Sequence, residues 1–313
     1  MSRPDFIIGG APKCGTTSLH FIFEQFENVQ IPDNELGFFD ADNPSIHPFY
    51  VKSVSDGLET YSPSFTKGHS ANWYRGHFSE KTGRVHGEDS TTYLFSTAAA
   101  HRIKEDLPDT KVVFMLRDPL ARCYSQYWHD VAMGWMNARF EKALTNRSRL
   151  IDFSIYEPHV RSWRDILGAD RVEFFLFEDL LKDRDALLKR VAEFIDFDLP
   201  EQLPANDWFN RTQYPRYQSL HLAANRFGMG LSKLRYANHM DEDQSSNARR
   251  KAKYYHRWFH RIRPLLPTTT QKPPMHEKTR AHLSKLFTDS NRGLSDLLDR
   301  DLSDVWPSFR AAE

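Results

Sequence analysis

Lys13 sits in a turn bounded by glycines, within Phe6-Ile-Ile-Gly-Gly-Ala-Pro-Lys13-Cys14-Gly15-Thr16-Thr17-Ser18-Leu19. The apolar start of this stretch fits a short buried strand, and Leu19, Ile22, Phe23 and Phe26 recur at helical spacing beyond it. Strand, glycine turn and helix in that order make a phosphate cradle. The backbone N–H groups of Gly15, Thr16, Thr17 and Ser18 would converge on one point, and the helix dipole would add partial positive charge there. In a nucleotide-hydrolysing P-loop the lysine directly follows the second glycine, and the next Ser or Thr holds magnesium. Here Thr16 takes that place and the lysine precedes Gly15, so this is not a magnesium–ATP loop. The arrangement suits a metal-free reaction in which Lys13 reaches the bridging oxygen of a phospho-anhydride and a nucleotide phosphate departs. A helix-capping turn with a solvent lysine is the plainer reading of a glycine loop taken alone.

Two further places carry chemistry. Lys111-Val-Val-Phe-Met-Leu116 is an apolar run expected of a strand buried on both faces, and it leads into Arg117-Asp-Pro119-Leu-Ala-Arg122-Cys-Tyr-Ser125. Pro119 suits the first turn of a helix, which puts Arg117 at the strand end and Ser125 on the same mouth two turns along. An arginine fork and a serine hydroxyl are phosphate donors, although an arginine salt-bridged at a strand terminus is a common alternative. Glu35 follows a short strand expected at 29–32 and is flanked by Leu36, Phe38 and Phe39. Apolar neighbours raise a carboxylate's pKa and make it a candidate base; a loop carboxylate in water is the alternative. His129 is expected a turn beyond Ser125, on the opposite side of the phosphate site.

The string Pro12-Lys-Cys-Gly-Thr-Thr-Ser-Leu19 resembles the 5′-phosphosulfate loop of sulfotransferases that use 3′-phosphoadenosine 5′-phosphosulfate (PAPS). Arg117-x-Pro119 with Ser125 eight residues after the arginine resembles the 3′-phosphate site of the same family. Glu35 followed by Phe38-Phe39 is similar to the Lys-Glu and Phe-Phe of glycan-acting members, whose glutamate is the base; Asn34 stands where they often carry lysine. Gly87-Glu-Asp-Ser-Thr91-Thr-Tyr-Leu94 is similar to the family's Gly-Glu-x-Ser-Pro-x-Tyr-Leu, with Thr91 replacing the proline. The stretch from Asn210 to Pro215-Arg216 is similar to one in bacterial relatives. The resemblance implies Lys13 and Glu35 as catalytic groups. It implies Lys13, Cys14, Gly15, Thr16, Thr17, Ser18, Arg117 and Ser125 as nucleotide-binding, with Arg216 as a further clamp or else a surface arginine. It also implies PAPS as co-substrate without a metal, and an acceptor bearing a hydroxyl or amine: a glycan, a lipid or a small metabolite.

Forty-two basic and forty-two acidic residues cancel, so no global field draws in nucleic acid or an anionic membrane, and any anion site must be local. No apolar run is long enough to span a bilayer, and Asp5 and two glycines interrupt the place where a signal peptide would need an unbroken apolar core. Two cysteines cannot staple a fold, which fits reduced thiols in a cytoplasm. The fourteen histidines show no metal-ligand spacing.

These groups must be held by the elements around them. A strand at 84–89, a helix at 96–106, a helix at 152–167, a strand at 171–177 and a helix with Leu188, Val191, Ala192 and Ile195 on one face give strand–helix alternation from residue 5 to 196. The expected fold is α/β, a P-loop-like three-layer arrangement with a central parallel sheet flanked by helices, in a single domain over 1–313. Residues 40–83 and 200–263 are expected as irregular lid and acceptor-pocket segments. Within the first, Trp73-Tyr74 would stack on adenine, line the pocket or, more simply, pack the lid onto the core. Within the second, the basic aromatic run at 249–261 reads as an amphipathic surface helix or an anion-binding flap. The function that the resemblance implies is sulfuryl transfer from PAPS. A small-molecule kinase on a degenerate P-loop and a nucleotide-binding module without catalysis are the alternatives. No motif specifies the acceptor or an oligomeric state.

Overall fold

A computed structural model describes residues 3–43, 46, 51–54, 57–60, 71–78, 84–200, 202–203, 213–237, 257, 261 and 265–310. The apolar runs become strands of one parallel sheet: β1 (Phe6–Gly10), β2 (Val29–Gln30), β5 (Val85–Asp89), β6 (Lys111–Leu116) and β7 (Val172–Leu176), in the spatial order β2-β5-β1-β6-β7. Ile7, Ile8 and the whole of Val112 to Leu116 are sealed from solvent, as a sheet covered on both faces demands. β1 is central, pairing Ile8 with Asp89 on one side and with Val113 on the other. The chain leaves β1 toward β2 on one side and leaves β6 toward β7 on the other. Where successive connections diverge in this way, a crevice opens at the carboxyl ends of the strands. The loops that carry Lys13 and Arg117 stand on either side of it.

The helices along the sheet segment are α1 (Thr16–Glu24), α2 (Ala71–Gly76), α3 (Thr97–Asp106), α4 (Pro119–Ala132), α5 (Phe140–Asn146), α6 (Arg149–Asp152), α7 (Glu157–Leu167), α8 (Phe177–Lys182) and α9 (Arg184–Phe194). Then follow α10 (Gln218–Ala237), α11 (Glu277–Ser290) and α12 (Leu294–Leu297). Leu19, Ile22 and Phe23 of α1, with Ile103 of α3, Trp163 of α7 and Val191 of α9, cover the strands in one apolar cluster. A second cluster forms on α4, where Tyr127, Trp128 and Val131 meet Phe140, Leu222, Leu283 and Phe287. Each such side chain contributes about 1.5–3 kcal/mol on burial. Helix α4 therefore starts at the crevice and is anchored at its far end by the carboxy-terminal helices.

The helix expected over 152–167 is broken into α6 and α7. Pro158 lacks an N–H and fits only a first turn, so α7 begins anew there. Asn291 seals the break: its Oδ1 accepts from Tyr156 N at 2.6 Å and from Glu157 N at 3.2 Å. The segment expected to be irregular over 40–83 contains an antiparallel hairpin, β3 (Val51–Val54) with β4 (Gly57–Thr60), and the short α2. Four-residue strands are too short for periodicity to register. Tyr74 of α2 is buried and stacks on Phe38 at 4.7 Å, so this aromatic packs the segment onto the core. In the second expected segment, β8 (Tyr214–Pro215) pairs with β9 (Thr268–Thr269) and leads into α10. The run at 249–261 lies outside the described residues except for positions 257 and 261, both helical.

Candidate functional site

Gly15 caps α1 with φ +89°, a region that favours glycine, and a Cβ there would meet the ring of Phe177 at 2.6 Å. No side chain caps α1, and its first turn presents backbone N–H groups toward the crevice. One of the four expected donors is committed internally, because Ser18 N donates to Gly15 O at 3.0 Å. Thr16 is buried, whereas Thr17 and Ser18 are half-buried at the mouth. Cys14 turns inward, its Sγ 3.7 Å from Tyr156 Oη, and burial pushes its thiol up to about 11. Cys14 can thus serve the loop through its backbone and is no nucleophile at neutral pH.

Lys13 adopts φ +70°. Its Nζ lies 3.2 Å from Nδ1 of His129, and burial lowers its pKa, with Asp130 pulling the other way and Arg117 adding to the fall. His129 was expected on the far side of the phosphate site; it stands against the lysine instead. Arg122, Ser125 and His129 recur at three- and four-residue spacing and so share one face of α4. Ser125 is buried on that helix. Arg117 reaches across from the end of β6: its Nη1 donates to Lys13 O at 3.2 Å, and its guanidinium lies 4.6 Å from the Phe177 ring centre. Tyr156 donates to Arg117 O at 3.0 Å, which ties the same residue to α7. The structure thus brings Lys13 and Arg117 together around the start of α1.

A cation that no sequence pattern singled out joins them. Lys272 lies over the Tyr124 ring at 5.0 Å; burial lowers its pKa, and the charges of Arg117 and Arg280 lower it further. Its only local signal was the following Pro273-Pro274, whose carbonyls accept from Tyr124 Oη. Arg216, by contrast, is exposed, with its backbone N donating to Pro267 O and its guanidinium 5.8 Å from the Tyr217 ring. No contact among the described residues joins it to Lys13, Arg117 or Ser125.

Glu35 follows β2 on a loop fastened to the end of β5. Gly37 N donates to Ser90 Oγ at 2.9 Å, and Phe38 N and Phe39 N donate to Tyr93 Oη at 2.9 and 3.2 Å. Ser90 and Tyr93 donate in turn to Glu88 Oε1, and Tyr74 donates to Glu88 Oε2. Burial pushes Glu88 up to about 7 against these three hydroxyl donors. Glu35 is an exposed residue whose carboxylate accepts from Thr91 N at 3.3 Å and Thr91 Oγ1 at 3.0 Å. Enclosure of the carboxylate, helped by the charge of Asp89, pushes it up to about 7, and the Thr91 donors oppose the rise. Water at the open side of the crevice tempers that shift. Thr91 also touches the other half of the site, because a Cβ at Gly10 would meet Thr91 O at 2.4 Å. Glu35 beyond β2, Lys13 beyond β1 and Arg117 beyond β6 thus all follow the carboxyl ends of strands in one parallel sheet. Among the described residues no cluster of His, Cys, Asp and Glu could hold a metal, and no helix is long and apolar enough to cross a membrane.

Comparison with known proteins gives the family. The chain aligns over 224 residues, at 24% identity, with a protein named bifunctional heparan sulfate N-deacetylase/N-sulfotransferase 1 from Caenorhabditis briggsae; 64% of this chain and 23% of that one are covered. Over 161 residues it is 29% identical to heparan sulfate glucosamine 3-O-sulfotransferase 3B1 of Mus musculus, covering 48% of this chain and 40% of that one. The chain thus spans well under half the length of these relatives. A crystal structure of a sulfotransferase from Alicyclobacillus acidocaldarius shares the fold, with a TM-score of 0.65 at 21% identity over 97% of this chain and 99% of the other. Residues 3–261 match the family described as the sulfotransferase domain, and the chain belongs to that family.

Proposed function

We propose that this protein transfers a sulfuryl group from PAPS to a hydroxyl or amine of an acceptor. The observation that carries the reading is the placement of Lys13 and Arg117 on adjacent strand ends around the start of α1, with Glu35 facing the same crevice. The site fits a bisphosphorylated nucleotide. Lys13 and Arg117 flank the start of α1, whose first turn has no side-chain cap, and Lys272 lies near enough to feel the charge of Arg117.

In this reading the N–H groups and hydroxyls of Thr16 to Ser18 hold the 5′-phosphate, while Arg117 and Ser125, joined by Lys272, hold the 3′-phosphate. Glu35 accepts the acceptor's proton as the acceptor atom bonds to sulfur. The bond from sulfur to the bridging oxygen breaks, and Lys13 meets the charge that collects on that oxygen. Adenosine 3′,5′-bisphosphate leaves. Positioning and electrostatics suffice for in-line transfer, so no metal is assigned. The names of the relatives favour a saccharide acceptor, and the two free cysteines favour a reducing cytoplasm.

The test is binding and turnover without added metal. Adenosine 3′,5′-bisphosphate in a chelating buffer should raise the melting temperature well above the effect of ADP with magnesium. Equal stabilisation by both, or PAPS turnover that requires magnesium, would overturn the reading.

A further inference from the structure

Thr91 occupies the place where the similar motif carries proline, and a proline there would offer Glu35 neither a backbone N–H nor a hydroxyl. Here both groups are used. Thr91 Oγ1 lies 3.1 and 3.0 Å from the two carboxylate oxygens of Glu35, and Thr91 N lies 3.3 Å from Oε2. We propose that Thr91 is a positioning residue for the reaction: its hydroxyl and backbone N–H fix the carboxylate of Glu35 and set the pH at which it accepts a proton. The proposal rests on the reading of Glu35 as the base.

The residue is well placed for this because the residues on either side of it are tied down. Ser90 N donates to Ile8 O at 3.0 Å, Thr92 Oγ1 donates to Asp40 at 2.6 Å, and the carbonyl of Thr91 lies against Gly10. Thr91 is itself buried, so its hydroxyl has little water to turn to. An ionised carboxylate only accepts hydrogen bonds, so two donors favour the ionised form and lower the proton affinity. The groups that work against them are Asp89 at the end of β5 and Asp40 on the same loop as Glu35. Asp89 is bonded at 3.2 Å to His20 of α1, whose imidazole also feels Glu24 and Asp33. Thr91 supplies the hydrogen bonds that keep Glu35 usable as a base among these acids.

The test is a titration of the Glu35 carboxyl by 13C NMR with adenosine 3′,5′-bisphosphate bound, its signal assigned by loss in Glu35→Gln. Thr91→Val and Thr91→Ala remove the hydroxyl and keep the N–H; either should raise the Glu35 midpoint by about one pH unit. Thr91→Ser restores the donor and should titrate as wild type. The acid limb of PAPS turnover, read as 3′,5′-bisphosphate formed with p-nitrophenol as probe acceptor, should move with the midpoint. Melting temperature and bisphosphate affinity report whether each variant is folded, and the smaller Ala variant stands in if Val is not. An unchanged midpoint in both hydroxyl-less variants, with Glu35→Gln inactive, would overturn the role of Thr91 alone. Full activity in Glu35→Gln would overturn the base reading and this proposal with it.

Discussion

Lys13 Nζ and His129 Nδ1 lie 3.2 Å apart across 116 residues of sequence. An ammonium can donate only, so the imidazole nitrogen is the acceptor and the lysine is aimed by α4 and not by its own loop. Lys13→Met should therefore cut turnover by about two to three orders of magnitude, the scale for losing a donor to developing charge. His129→Ala should leave the lysine present but unaimed, with a loss of about tenfold in kcat and nucleotide affinity nearly intact. Single-turnover kinetics paired with calorimetry check both; a His129 variant that loses nucleotide affinity instead would place the histidine in the binding site.

Arg117 is expected to read the 3′-phosphate. Arg117→Ala should weaken adenosine 3′,5′-bisphosphate by about 2 kcal/mol, the scale of a charge-assisted hydrogen bond, and leave adenosine 5′-phosphate nearly unchanged. Ser125→Ala and Lys272→Ala should show the same selectivity more mildly. Because Arg117 also braces Lys13 O, thermal melts must accompany the titrations. Unfolding of the variant would show that the arginine is a strut.

Glu35→Gln keeps the shape and removes the basicity, so turnover should fall by about two to four orders of magnitude with cofactor affinity unmoved. The pH profile gives a second test. The carboxylate must be ionised to accept a proton, and its pKa is raised to about 7, so kcat should fall as pH drops through 7. A profile flat down to pH 5 would remove Glu35 from the rate-limiting step.

Glu88 yields a stability prediction. Its folded pKa, about 7, lies above the ordinary 4.5, so the fold favours the neutral acid. That contribution is fully present below pH 4.5 and is lost as pH rises through 7. Glu88→Gln removes the titration. The stability of this variant relative to wild type should therefore rise by about 3 kcal/mol between pH 4.5 and 8, measured by urea unfolding. A constant difference across that range would mean that the three hydroxyl donors hold Glu88 ionised.

The backbone-driven half of the site was legible in the sequence, because close approach and left-handed turns leave glycines behind and a helix start leaves a proline. Gly15 against Phe177 and Pro119 at the head of α4 are such marks. The sheet was legible for the same kind of reason, since strands buried on both faces read as unbroken apolar runs. What stayed hidden depends on contacts between distant residues. His129 beside Lys13, Lys272 near Arg117 and Asn291 over the break before α7 follow from how α4, the 272–274 turn and the tail pack. No local period encodes those neighbours. The hydroxyls gathered on Glu88 were in plain view as Ser90 and Tyr93, but only the fold shows that they fasten the loop of Glu35.

The Asn291 cap has a consequence for how this protein can be shortened. Trp306 donates to Glu178 at 3.0 Å, Glu178 accepts from Asp118 N at 3.0 Å, and Ser308 N donates to Asp118 at 3.0 Å. The last fifty residues thus buckle the start of α4 and α8 to the sheet, although the family match ends at 261. A protease nick or stop codon near 275 would spare every motif named here and still slacken Arg117, Tyr156 and Phe177 together, so the loops around the start of α1 would give way before the strands did.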